Sequence, residues 1–109
     1  MSPEAAEANE RILAQVEEYG GGYVWESEIF AVTLIDVAIQ DHQASSLCGL
    51  TGVEQITLNA SQLAFATLQG IAGIPGLQSL VLSGTTLTED QHALLERLGP
   101  NVNLVADDA

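Results

Sequence analysis

A chain of 109 residues with 15 Asp/Glu against 2 Lys/Arg carries a formal charge of −13, yet 47% of it is hydrophobic. That length suits one compact domain, and that apolar content is too high for a disordered chain. Arg11 and Arg97 are the sole strong cations, too few to neutralise phosphates, which argues against nucleic-acid binding; a lone Cys48 excludes an internal disulfide and any multi-cysteine zinc site.

The acidic start, MSPEAAEANE, lacks the basic and apolar regions of a secretory signal. The longest mainly apolar stretch, Ile29 to Ile39, is interrupted by Thr33 and Asp36 and is too short to span a bilayer. A cytoplasmic protein with no membrane partner is expected. Ala5, Ala8, Ile12 and Val16 step along one helical face, with Glu4, Glu7, Glu10, Glu17 and Glu18 largely on the other. Gly20-Gly21-Gly22 ends that helix, and YVWESE predicts a short strand before a turn into Ile29. Residues 1–28 are therefore expected to form an N-terminal cap, with Tyr23 and Trp25 as its packing anchors.

From Ile29 onward the chain repeats every 24 residues without gaps: 29–52, 53–76 and 77–100, followed by a partial block, 101–109. Apolar columns recur down the blocks: Ile29/Val53/Leu77, Val32/Ile56/Leu80, Leu34/Leu58/Leu82, Ile39/Leu63/Leu87, Leu47/Ile71/Leu95 and Leu50/Ile74/Leu98. The fourth block continues them with Leu104 and Ala106. Each block opens on an alternation of period two, which suits a half-buried strand, then turns into a segment whose apolar residues return three apart, as in a helix. One such unit cannot bury its own apolar edge, whereas stacked units align their strands in a parallel sheet and share a core.

The blocks resemble the leucine-rich repeat family, whose pattern is L-x-x-L-x-L-x-x-N/C-x-L. Val53, Ile56, Leu58 and Leu63 fit it, as do Leu77, Leu80, Leu82 and Leu87. The family's Asn position holds Val37, Ser61 and Thr85; Ser61 and Thr85 can bond locally and Val37 cannot, so the first turn is expected to differ in shape. The resemblance implies an α/β fold: a short solenoid with parallel strands on the concave face and short helices on the convex face, behind the N-terminal helical cap. In the third block Thr88 and Gln91 form a capping box, Glu89 and Asp90 sit in the first turn, and Gly99-Pro100 stops the helix after Arg97. The second block, with Gly70, Gly73 and Pro75-Gly76, predicts a short or 3₁₀-like helix.

Catalytic groupings are not evident. His42 and His92 occupy non-equivalent places without metal-ligand spacing, and Asp41-His42 with Ser45 and Ser46 nearby has no nucleophile motif. Cys48 shares a column with Ala72 and Glu96 and reads as a partly buried small residue without an activating cation. YGGGY and GIAGIPG lack the Lys and Ser/Thr of a phosphate loop, and Glu17-Glu18 and Asp107-Asp108 lie in terminal segments without an expected pocket. No catalytic residue, metal or cofactor is expected, and the chain reads as non-enzymatic.

Surface remains. The residues between the strand leucines form three expected rows: Ala31/Gln55/Ser79/Asn103, Thr33/Thr57/Val81/Val105 and Ile35/Asn59/Ser83/Asp107. Within them Gln55, Thr57, Asn59, Ser79, Val81, Ser83, Asn103 and Val105 are the candidate partner-binding positions. Residues 102–106 are expected to be an exposed edge that pairs with a second copy or a partner, opposed by Asp107 and Asp108. The expected function is a protein-interaction module whose partner is basic, since the charge steers cationic surfaces towards it. Two alternatives are an acidic inhibitor of immunity type that neutralises a basic toxin or nuclease, and a scaffolding repeat whose acidity reflects a saline environment.

Overall fold

The computed structural model describes residues 2–105. Ser2 opens α1 (Pro3–Glu18), its hydroxyl accepting from the Ala5 amide at 3.2 Å, and Pro3 occupies the first turn, where a missing N–H costs nothing. Leu13 and Val16 are buried under α1, with Ile12 and Tyr19 packed against the same core. Asn9 is buried beside them, its side-chain amide donating to the Thr51 carbonyl and accepting from the Thr51 amide, both at 2.9 Å. That two-way bond docks α1 onto the end of the first repeat unit.

Gly20, at a positive φ of 95°, turns the chain out of α1, and β1 (Gly22–Trp25) follows. It pairs antiparallel with β2 (Phe30–Ala38) through a hairpin loop closed by the Glu26 amide donating to the Ile29 carbonyl at 2.8 Å. The sheet is thus mixed, not wholly parallel: β2, β3 (Gln55–Asn59), β4 (Ser79–Ser83) and β5 (Asn101–Leu104) run parallel in sequence order, and β1 closes one side. Helices α2 (Asp41–Ser45, continued by a 3₁₀ turn, Ser46–Gly49), α3 (Phe65–Ala72) and α4 (Glu89–Arg97) alternate with the parallel strands. Their buried residues share one core with the strands. No helix among the described residues is long and apolar enough to cross a membrane.

The repeat columns meet in register. Val32, Ile56 and Leu80 align across three strands, as do Leu34, Leu58 and Leu82, and all six are at most 1% exposed. Leu47, Ile71 and Leu95 fill the facing helical positions at 0%. The expected capping box is present: Thr88 Oγ1 accepts from the Gln91 amide and Gln91 Oε1 accepts from the Thr88 amide. The second helix is short, as Gly70 and Gly73 foretell, and is α-helical.

Several expectations change. Strand β5 enters the sheet two residues early, so that Leu82 faces Leu104 and Val81 faces Asn103. The reason is the connection: only Leu98, Gly99 and Pro100 separate α4 from β5, against residues 73–78 between α3 and β4. In the first column Ile29 is 52% exposed while Val53 and Leu77 are buried; the neighbouring Phe30, paired with Trp25 across the hairpin, takes the interior place. Leu98 is likewise 47% exposed although Leu50 and Ile74 are buried. Trp25 stacks on Phe30 with centroids 5.3 Å apart, as a packing anchor should, but Tyr23 is exposed and Tyr19 makes the core contact instead. After Leu34 the first block departs from the others: the register shifts before Ala38 meets Asn59, in keeping with Val37 at the turn position. Cys48 is exposed, not partly buried.

Candidate functional site

On β2, β3 and β4 one face is buried against the helices and the other looks outward; on β5 Val102 is buried but Leu104, in register with Leu82, is 43% exposed. The outward positions align as rows across the sheet: Val24, Ala31, Gln55, Ser79 and Asn101, then Gly22, Thr33, Thr57, Val81 and Asn103. A shorter third row holds Asn59 and Ser83. No charged residue occurs at any paired position of the five strands; Asp36 lies in the unpaired part of β2. In a chain of charge −13 this neutral face is a marked local departure from the surroundings.

Most of the candidate partner-binding residues lie on this face, in corrected rows. Gln55 is exposed and Ser79, Val81 and Asn59 are half-buried, whereas Thr57 and Ser83 are each only 8% exposed. Asn103 aligns with Val81, not with Ser79, and Val105 lies just beyond β5, its amide donating to the Leu82 carbonyl at 2.8 Å. Asp107 lies outside the described residues. Asn101 and Val24 join the face although the sequence reading passed over them; the shortened last connection and the hairpin hid them.

Two of these positions hold turns. Asn59 Oδ1 accepts from the Ser61 amide at 3.1 Å, and Ser83 Oγ donates to the Leu58 carbonyl at 3.4 Å. Gly84 follows with φ 70°, and a Cβ there would stand 2.9 Å from Asn59 Oδ1, so glycine is required on both counts. The local bond at this turn is thus made by the Asn59 side chain to the Ser61 amide. The exposed side chains left for contact are Val24, Thr33, Gln55, Asn101 and Asn103, with Ala31, Ser79 and Val81 half-buried between them.

Several titratable residues have structural roles. Asp41 Oδ1 accepts from the Ala64 amide at 2.8 Å and from the Thr67 hydroxyl at 2.7 Å. Ala64 is the residue before α3 and has no capping side chain, so Asp41 supplies the cap from the preceding unit. Those bonds, the Ala64 amide first, hold the Asp41 carboxyl below its usual range. His92 Nε2 bonds the Val102 carbonyl at 2.7 Å, and Glu96 Oε2 accepts from the Val102 amide at 3.2 Å. Helix α4 therefore clamps the edge strand at Val102. The Cys48 thiol, although its residue is exposed, is desolvated enough for its pKa to rise, the opposite of what an activated nucleophile needs. Tyr23 is raised by the nearby charge of Glu17. Among the described residues no group of three or more His, Cys, Asp or Glu is placed to hold a metal ion.

At the end of the sheet where β2 and β3 begin, a cleft of about 260 Å³ opens between the hairpin loop and the approach to β3. Trp25, Phe30 and Ile29 supply its apolar wall, and Glu26, Glu28 and Glu54 its carboxylates. Compared with protein-family models, with curated proteins and with solved structures, the chain has no match.

Proposed function

We propose that this chain is a non-enzymatic protein-interaction module of the leucine-rich-repeat type, a short solenoid that presents its outer sheet face to a protein partner. The observation that carries the reading is the uncharged outer face, built from Thr33, Gln55, Ser79, Val81, Asn101 and Asn103 on a strongly acidic chain. Neutral hydroxyl and amide side chains cost less to desolvate than carboxylates, and they donate and accept hydrogen bonds alike. The 24-residue register shared by Val32/Ile56/Leu80 and Leu34/Leu58/Leu82, together with the common core, supports the repeat reading. The acidic remainder favours a basic partner by steering it in and repelling acidic ones.

Five strands about 4.8 Å apart make a face only about 19 Å wide. A standard interface takes about 800 Å² from each partner, so the contact extends beyond the sheet. The test is retention of a partner captured on the immobilised chain. Thr33→Glu with Val81→Glu, which places charge on the outer face, is expected to abolish retention. Glu7→Gln with Glu10→Gln on α1 is expected to preserve it. Equal retention by both variants contradicts the reading.

A further inference from the structure

The interaction reading leaves open where a basic partner anchors a charge. We propose that the cleft between the β1–β2 loop and the start of β3 receives an arginine side chain of the partner protein, and this rests on the interaction reading above. The cleft lies at the end of the sheet where β2 and β3 begin: Phe30 opens β2 and Glu54 immediately precedes β3.

Ile29 belongs to a column whose other members, Val53 and Leu77, are buried, yet it is 52% exposed and lines the cleft. Its interior place is taken by Phe30, on which Trp25 stacks at an interplanar angle of 20°. The hairpin loop holding Ile29 outward is closed by the Glu26–Ile29 backbone bond. Glu54 is held in place by its backbone, its amide donating to the Phe30 carbonyl and its carbonyl accepting from the Gln78 and Ser79 amides. The cleft thus combines a half-buried indole, an exposed aliphatic wall and three carboxylates on a tied backbone.

A guanidinium suits that combination better than an ammonium. It stacks on an aromatic face, pairs with carboxylates through a planar fork, and sheds its hydration more readily. Among the described residues lining the cleft there is no arginine or lysine that would already occupy it.

Trp25 is the chain's single tryptophan, so its emission reports on the cleft alone. The probe is acetyl-Gly-Arg-Gly-amide, titrated at low salt into the full chain, beside the citrulline tripeptide, which keeps the shape without the charge. A saturable change in emission is expected with the arginine peptide and not with citrulline. Glu26→Gln, Glu28→Gln and Glu54→Gln together are expected to weaken binding about tenfold, as three partly exposed ion pairs should. Glu4→Gln, Glu7→Gln and Glu10→Gln, the same change of net charge on α1, are expected to leave it within about twofold. Ile29→Lys, an exposed position that introduces a competing cation, is expected to abolish binding without any change of carboxylates. Equal response to citrulline, equal weakening by the α1 triple variant, no saturable change, or undiminished binding by Ile29→Lys would each overturn the proposal. A null result here, with partner retention still lost on Thr33→Glu and Val81→Glu, sinks the arginine pocket and leaves the interaction module standing.

Discussion

Asn9 shows how much one polar side chain can decide. It is fully buried on a helix whose buried face is otherwise apolar, and it satisfies both the amide and the carbonyl of Thr51. Asn9→Leu leaves two inward backbone groups unpaired, and the expected cost is about 2–4 kcal/mol, read from urea unfolding. Asp41 acts between units, capping α3 because Ala64 cannot. Its carboxyl is lowered in the fold, so its contribution is complete above the ordinary carboxylate pKa and is lost as pH falls through the lowered value. Asp41→Ala is therefore expected to reduce the melting temperature at neutral pH, with the deficit shrinking towards zero in strong acid. A deficit independent of pH would assign the effect to something other than the charged cap. Neither residue stands out in the sequence: Asn9 lies at the polar margin of a helical stripe, and Asp41 caps a helix 23 positions further along.

At the scale of elements, periodicity carried the reading wherever successive units are connected alike. Val32/Ile56/Leu80 and Leu34/Leu58/Leu82 occupy equivalent buried places because strands β2, β3 and β4 begin their pairing 24 residues apart. Leu58 sits centrally among them, and Leu58→Ala is expected to cost about 2–5 kcal/mol. Where a connection shortens, the same reasoning slips: Gly99-Pro100 ends α4 and feeds β5 two residues sooner, which moved Asn103 and Val105 to different rows of the candidate face. At the hairpin, antiparallel pairing put Phe30 inside and Ile29 outside, a choice that two adjacent apolar residues do not reveal in sequence. Among the described residues β5 is the last strand of the sheet; Asp107 and Asp108, expected to oppose pairing there, lie outside them, and the contacts seen come from α4. His92 and Glu96 lie four apart on α4 and bond the two backbone groups of Val102, occupying positions that a pairing strand needs. Glu96→Ala is expected to speed exchange of the Val102 amide by about tenfold, the equivalent of one hydrogen bond. Unchanged exchange would show that the clamp does not hold in solution.

For the molecule as a whole, the division of charge is the main physical fact. The acids lie on helices, loops and the chain's ends, with Asp36 in the unpaired part of β2, while the paired strand positions carry none. A net charge of −13 opposes compaction, and salt relieves that opposition by screening. The burial of the repeat columns is expected to keep the chain folded even at about 0.01 M ionic strength, where screening reaches only beyond about 30 Å. Collapse of the circular-dichroism signal at that salt would favour the saline-scaffold alternative over recognition. Leu94 on α4 and Leu98 just after it offer a rival surface, since they are 42% and 47% exposed. Methyl cross-saturation from a bound, protonated partner to the deuterated, methyl-labelled chain separates the two surfaces. The account predicts transfer to the methyls of Val24 and Val81 on the outer face; transfer confined to Leu94 and Leu98 would contradict it.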